Sequence, residues 1–264
     1  MLRKRIIFSL IYNDGFFTQS RNFRLQKVGD LKWLEKNYGF QKIAFSLDEL
    51  IVVNASRTNK SVSDFASMIR LLVNDVFIPI CAGGGIRSME EAELLFKNGA
   101  DKIIMNTALY KNPELIKELI RNYGSQSVVA SVDYKTSNGI NEVYIADGTE
   151  KIDKNLEQYL EYLELLDIGE IYLNSVDKDG TGFGYDFATI HDIAKKINKP
   201  LIIAGGAGNE KHLIEGLQIN EVSAVATANL FNFIGDGLPN AREKIIASGL
   251  NIANWNPDQI SIES

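Results

Sequence analysis

The chain has 264 residues, 45% hydrophobic and 23% charged, with 28 Lys and Arg against 34 Asp and Glu for a net charge of −6. That balance excludes a general nucleic-acid or anionic-membrane surface, yet it leaves room for a local basic site that holds a phosphorylated small molecule. A single cysteine, Cys81, excludes an intramolecular disulfide and suits a reducing cytoplasm, and no run approaches the roughly 18 apolar residues of a membrane helix.

The first segment, "MLRKRIIFSLIYND", sets basic residues before an apolar run of only about seven residues, with no small-x-small site after it. It reads as a core strand, not a secretion signal. Further strand-like runs follow at residues 48–53, 78–82, 102–105, 127–132, 170–174, 200–204 and 224–227, the first lying at 5–11. Helical patterns fill most of the intervals. "SMEEAELLFKNG" offers Ser88 as N-cap, Glu91 three residues on as in a capping box, and Gly99 as a stop; "NPELIKELIRNYG" has Pro113 at a first helical position and Gly124 beyond the end. Continuous apolar strands alternating with helices predict parallel strands buried on both faces.

The chain repeats itself. "IPICAGGGI" echoes "KPLIIAGGAG" with Gly83 on Gly205; "DELIVVNAS" echoes "GEIYLNSVDKDGT" with Glu49 on Glu170; Asp101 falls on Ser223 and Ile11 on Asp133. Four strand positions matched in order predict two half-barrels, about 1–123 and 124–250, closing into one (β/α)8 barrel with a C-terminal tail. An open doubly wound sheet gives no reason for the repeat.

In such a barrel the chemistry sits at the C-terminal ends of the strands. Gly84 and Gly85 follow the third strand, and Asn106 and Thr107 end the fourth, a pattern that brings backbone N–H groups, an amide and a hydroxyl to one anion. Gly205, Gly206, Ala228 and Asn229 repeat the device in the second half, and "DKDGTGFGYD" adds Asp179, Gly180 and Thr181. Two such grips facing across the barrel mouth predict a long ligand with a phosphate at each end. The remaining candidates are weak. His191 and His212 both fall on helical stretches, which argues against a His-based metal site or triad. Cys81 sits inside an apolar strand as a small core residue, and Trp33 and Trp255 are packing residues. "KTSNGINEVYIADGTEK" after Asp133 predicts a hairpin turning at Asn138-Gly139. No metal and no cofactor is expected.

"MLRKRII", "FIPICAGGGIRS", "GADKIIMNTAL", "NPELI", "SVDKDGTGFGYD" and "GGAG" together resemble the cyclase subunit of imidazole glycerol phosphate synthase over essentially the whole chain. The resemblance implies a glutaminase subunit docked at the N-terminal face in a heterodimer. It also implies ammonia passing through the barrel, a charged gate at Arg5, Glu49, Lys102 and Glu170, and Asp101 at the interface. A salt-bridge ring with a purely structural role would have the same sequence. The family pairs aspartates at the ends of the first and fifth strands. Asp133 matches the second, but Ile11 stands where the first belongs, so two-carboxylate catalysis cannot run as in the family. The first loop has Gln19 where the family carries a lysine, Asn54 stands near a family aspartate, and Phe16 and Phe17 enter the same loop. Ile11 with "NDGFF" and the "ASR" after the second strand resemble a paralogous subgroup. That subgroup implies ammonia delivery to a bacterial surface sugar, with a sugar amidotransferase as a further partner. The alternatives are a true cyclase with a substitute acid and a non-catalytic scaffold that activates the glutaminase.

Overall fold

A computed structural model describes residues 3–58 and 61–254; Trp255 lies outside them. Twelve strands form one sheet: β1 (Arg5–Asn13), β2 (Phe16–Arg21), β3 (Arg24–Gly29), β4 (Glu49–Asn54), β5 (Ile80–Gly83), β6 (Lys102–Met105), β7 (Val128–Ser137), β8 (Ile140–Ile145), β9 (Glu150–Asn155), β10 (Glu170–Ser175), β11 (Leu201–Ala204) and β12 (Val222–Thr227). Eight of them pair in parallel in the order β10-β11-β12-β1-β4-β5-β6-β7, and β7 pairs back to β10, which closes the barrel. Helices separate the strands, as the alternation predicts. Ser88 caps the helix Met89–Lys97 by accepting from the Glu91 N–H. The Glu91 carboxylate takes the N–H of Arg87, one residue before the position a capping box requires. Pro113 opens the helix Pro113–Tyr123, and Gly124, at φ 86°, ends it.

Two antiparallel hairpins stand on this frame at the C-terminal rim. The one after β7 turns at Asn138 and Gly139, with φ of 50° and 76°, and continues into β9. The stretch after β1, which the sequence presents as a loop, is also a hairpin: β2 pairs with β1 (Ile11 opposite Thr18) and with β3. Its "FFTQSR" strand buries Phe17, Thr18 and Ser20 and packs Phe17 on Tyr12, while Phe16 takes the Lys27 ammonium over its ring.

Strand register tests the internal repeat. Ile11 is opposite Val53 and Asp133 is opposite Asn174, so Ile11 and Asp133 are equivalent positions, as the sequence alignment has it. The glycine loops shift by one residue. Val53 faces Gly83 while Asn174 faces Ala204, which makes Gly84, not Gly83, the counterpart of Gly205. Close approach explains why both are glycine: a Cβ would lie 2.3 Å from the Asn54 carbonyl at Gly84 and 2.5 Å from the Ser175 carbonyl at Gly205. Apolar side chains fill two separate cores, one between strands and helices and one inside the barrel around Ile7, Ile51, Cys81, Val129 and Ile202.

Candidate functional site

At the N-terminal end of the barrel, β1, β4, β6 and β10 each begin with a charged residue, and the four side chains meet. Arg5 pairs with Glu49 at 2.7 Å and Glu170 at 3.1 Å, and Lys102 pairs with the same two carboxylates at 3.0 and 3.3 Å. Each charge therefore has two partners of opposite sign, which is what allows a buried set to persist. Burial raises the Glu49 pKa above the usual carboxylate value, against the pull of Lys102 and Arg5. Burial alone would lower the Arg5 and Lys102 values, but the two glutamates outweigh it and raise both. Glu49 accepts hydrogen bonds from Arg5 and Lys102, while Oε2 of Glu170 is buried without one. The ring is held most weakly at Glu170. Asp101, exposed on this rim, accepts the N–H of Ile80 at 2.8 Å and so caps the entry to β5.

Above the ring the barrel interior is hydrocarbon, with Cys81 fully buried among Ile7, Ile51, Val129, Ile202 and Ala224. Burial pushes the Cys81 thiol well above its ordinary pKa, which leaves it inert as a nucleophile. One polar pair interrupts the lining: the hydroxyls of Ser9 and Tyr172 lie 3.1 Å apart. Such an interior disfavours an ion, because an unpaired charge loses its hydration there.

A cavity of about 930 Å³ lies at the C-terminal mouth, and Ser9 and Tyr172 reach it from below. Asp133 lies on its floor. Asn174 donates to Oδ1 at 2.9 Å and Asn106 to Oδ2 at 3.2 Å. Burial raises the pKa of Asp133 to about 7, with the Asn174 hydrogen bond opposing the rise. The carboxyl group is thus poised between proton acceptor and donor near neutral pH. Across the floor, Ile11, opposite Val53, lines the same cavity.

The structure brings most of the sequence candidates together. Gly84, Gly85, Asn106, Thr107, Asp179, Gly180, Gly205, Gly206, Ala228 and Asn229 all line the cavity. Their states differ. The Asn106 amide is spent on Asp133 and the Ser131 carbonyl, not aimed at an incoming anion. Thr107 accepts the Ala146 N–H at 3.1 Å and donates its hydroxyl to Asn106 Oδ1 at 3.4 Å. Asp179 is buried and holds the first hairpin in place, accepting from Ser20 Oγ at 2.5 Å and from the Phe23 N–H at 3.1 Å. Burial raises its pKa, against those two hydrogen bonds. Thr181 does not line the cavity; its hydroxyl turns back to the Lys178 carbonyl. Gln19 accepts the Leu230 N–H at 2.8 Å. Buried Asn54 accepts the Ser56 N–H and stays behind the Gly84 turn. His191 lies on the helix Phe187–Ile193 against Phe187, and His212, on the helix Glu210–Gln218, accepts the Gly208 N–H. Trp33 packs against Tyr38.

Sequence reasoning passed over Asn174, Ser9, Tyr172, Arg57, Arg87, Lys111 and Asp147. Asn174 was within reach, because the repeat that places Ile11 on Asp133 also places Val53 on Asn174.

A closed parallel barrel with a charged ring at one end and a glycine-lined cavity at the other defines the class to which the sequence comparisons also point. The histidine biosynthesis protein family matches residues 32–235, and the chain belongs to that family. It is 44% identical over 256 residues to a Parasynechococcus marenigrum protein provisionally named imidazole glycerol phosphate synthase subunit hisF2, covering 97% of this chain and 95% of that one. Subunit HisF of the same synthase from Streptococcus sanguinis is 32% identical over 254 residues, with 96% and 99% of the two chains covered. The Pyrobaculum aerophilum HisF is 35% identical over 220 residues, covering 83% and 85%. The chain is HisF-like along its length. No helix among the described residues is long and apolar enough to cross a membrane.

Proposed function

We propose that this barrel is the ammonia-accepting subunit of a glutamine-dependent complex, and that its ammonia serves amidation of a bacterial surface sugar, not histidine synthesis. In this reading a glutaminase docks on the N-terminal face, with Asp101 on the contact rim, to form a heterodimer. Ammonia enters through the ring of Arg5, Glu49, Lys102 and Glu170, crosses the apolar lumen past Ser9 and Tyr172, and emerges beside Asp133. Opening at the weakly held Glu170 side admits neutral ammonia while the hydrocarbon layer turns back ammonium. A sugar amidotransferase at the open mouth is the further partner, and a phosphorylated small molecule is the ligand of the cavity.

The observation that carries the proposal is the asymmetry of the cavity floor. Asp133 sits between two amide donors, while its counterpart Ile11 stands opposite Val53 and lines the same cavity. Ring closure with a separate acid and base needs a proton-transfer group on each face. Addition of ammonia to an activated carbonyl carbon needs one base: a C–N bond forms, the leaving group departs with its electron pair, and the nitrogen gives up one proton. A single carboxyl with a pKa of about 7 meets that requirement.

The test is turnover of the histidine-pathway bis-phosphorylated ribonucleotide with saturating ammonium salts, comparing wild type with Ile11→Asp, alongside glutamine hydrolysis by the partner glutaminase. The expected outcome is no cyclase turnover in wild type and stimulated glutaminase activity when the barrel is added. Clear wild-type cyclase turnover would overturn the amidation reading.

A further inference from the structure

The charges lining the cavity are segregated by half. Its three basic residues, Arg57, Arg87 and Lys111, all come from the first half, and its three acidic residues, Asp133, Asp147 and Asp179, all come from the second. Lys111 is partly neutralised by Glu150 at 2.6 Å. Arg57 gives one N–H to the Phe23 carbonyl, and among the described residues no ion pair ties Arg57 or Arg87 to a carboxylate. Both guanidinium groups are exposed at the cavity edge, beside Gly84 and Gly85.

The two grips differ in the same sense. After β6, among the described residues no hydrogen bond takes the N–H of Thr107 or Ala108, although the Thr107 hydroxyl is donated to Asn106 Oδ1 at 3.4 Å. After β12, the equivalent N–H groups are filled from within the chain: Asn229 N–H by Thr227 Oγ1 at 3.3 Å and Leu230 N–H by Gln19 Oε1 at 2.8 Å. The Asn229 side chain turns inward too, accepting the N–H of Phe231 and Asn232. An anion arriving at the second grip would have to displace these acceptors. Among the residues that line the cavity, the second half contributes Asp179 and no cation; Lys178 packs against Gly206 from outside that lining. Gly205 and Gly206 still offer close backbone approach there, which suits a neutral hydroxyl.

We infer that the cavity takes a ligand with one strongly anionic end, a phosphate monoester or diphosphate held by Arg57, Arg87 and the Gly84–Gly85 turn, whose other end is uncharged or cationic and meets the Asp133 wall. The inference deepens the proposal above by naming the ligand class of the same cavity. It corrects the expectation of two facing phosphate grips, because the second grip is filled by Gln19 and Thr227. A sugar joined through a phosphate or diphosphate has this polarity, and a bisphosphate does not.

Calorimetric titration of the whole barrel with ribose 5-phosphate and with ribulose 1,5-bisphosphate tests it without glutaminase or ammonia, so failure of ammonia delivery would leave this result intact. The two ligands are expected to bind within about threefold of one another. Arg57→Ala and Arg87→Ala, both at exposed side chains that the fold tolerates, should each weaken both ligands about fivefold or more. Gln19→Ala, by freeing the Leu230 N–H, should improve only the bisphosphate. A bisphosphate preference above tenfold in wild type, arginine variants without effect, or no binding of either phosphate would each overturn the inference.

Discussion

At the floor of the cavity, Asp133 stands between Asn106, just past β6, and Asn174 on β10; at the equivalent place in the other half, Ile11 stands opposite Val53 on β4. The backbone of the two halves is so alike that Gly84 and Gly205 meet equivalent carbonyls, those of Asn54 and Ser175, at the end of the preceding barrel strand. The side chains, however, differ as a set. A carboxylate in a barrel mouth needs donors to hold its charge, so the aspartate and its two amides belong together. Where no carboxylate stands, amides would be left unpaired and hydrocarbon packs instead. The carboxyl group placed for proton transfer lies in one half, and the cavity's basic residues lie in the other.

Several experiments would break or sharpen that contrast. The largest effect is expected at Asp133. Asp133→Asn should lower any ammonia-transfer rate by about 10²–10⁴, measured as product per glutamine consumed; a loss under tenfold would deny Asp133 the proton-transfer role. The gate comes next. Glu49→Ala removes the carboxylate that accepts from both Arg5 and Lys102 and leaves two half-buried cations sharing Glu170 alone, at a cost of about 1–3 kcal/mol in denaturant unfolding. Glu170→Ala should cost less, because Glu170 is half-hydrogen-bonded to the ring; equal losses would contradict the weak side assigned to it. Gly84→Ala and Gly205→Ala should each destabilise by about 1–3 kcal/mol and by similar amounts. A large difference between them would show that the two turns are not mechanically equivalent.

The pH dependence is the subtlest test. The folded pKa of Asp133, about 7, lies above its ordinary value. The native state therefore binds more protons than the unfolded chain between about pH 4 and 7. This group's contribution to stability is complete at low pH and is lost as pH rises through 7. Melting temperatures of wild type and Asp133→Asn should diverge in favour of the variant from pH 5 to pH 8, and parallel curves would contradict the raised pKa. Asn174→Ala removes the hydrogen bond that favours the ionised form, so it should move the Asp133 titration further upward, followed by carboxyl NMR shifts.

Much of this was legible in advance. Alternating apolar runs and helical segments located all eight barrel strands, and the internal repeat predicted the closure, because half-barrels with matching strands have complementary open edges. The replacement of a carboxylate by Ile11 could be read directly once the halves were aligned. The hairpin after β1 could not. "FFTQSR" has strand-like alternation, but its pairing with β1 and its tie to Asp179 depend on a segment more than 150 residues away. The one-residue offset at the glycine loops was also hidden, since a run of three glycines matches either register and only strand pairing separates them.

The sequence by itself determined the barrel, its two-fold repeat and the identity of the residues at each strand end, because these depend on local periodicity and order along the chain. Only the tertiary structure decided which of those residues remain available. Asn106 is spent on Asp133, Asp179 on the hairpin, and the Leu230 N–H on Gln19, while Arg57 and Arg87 are left facing the cavity. A hydrogen bond or an ion pair joins groups that are distant in the chain, so its formation is settled only when folding brings the partners together.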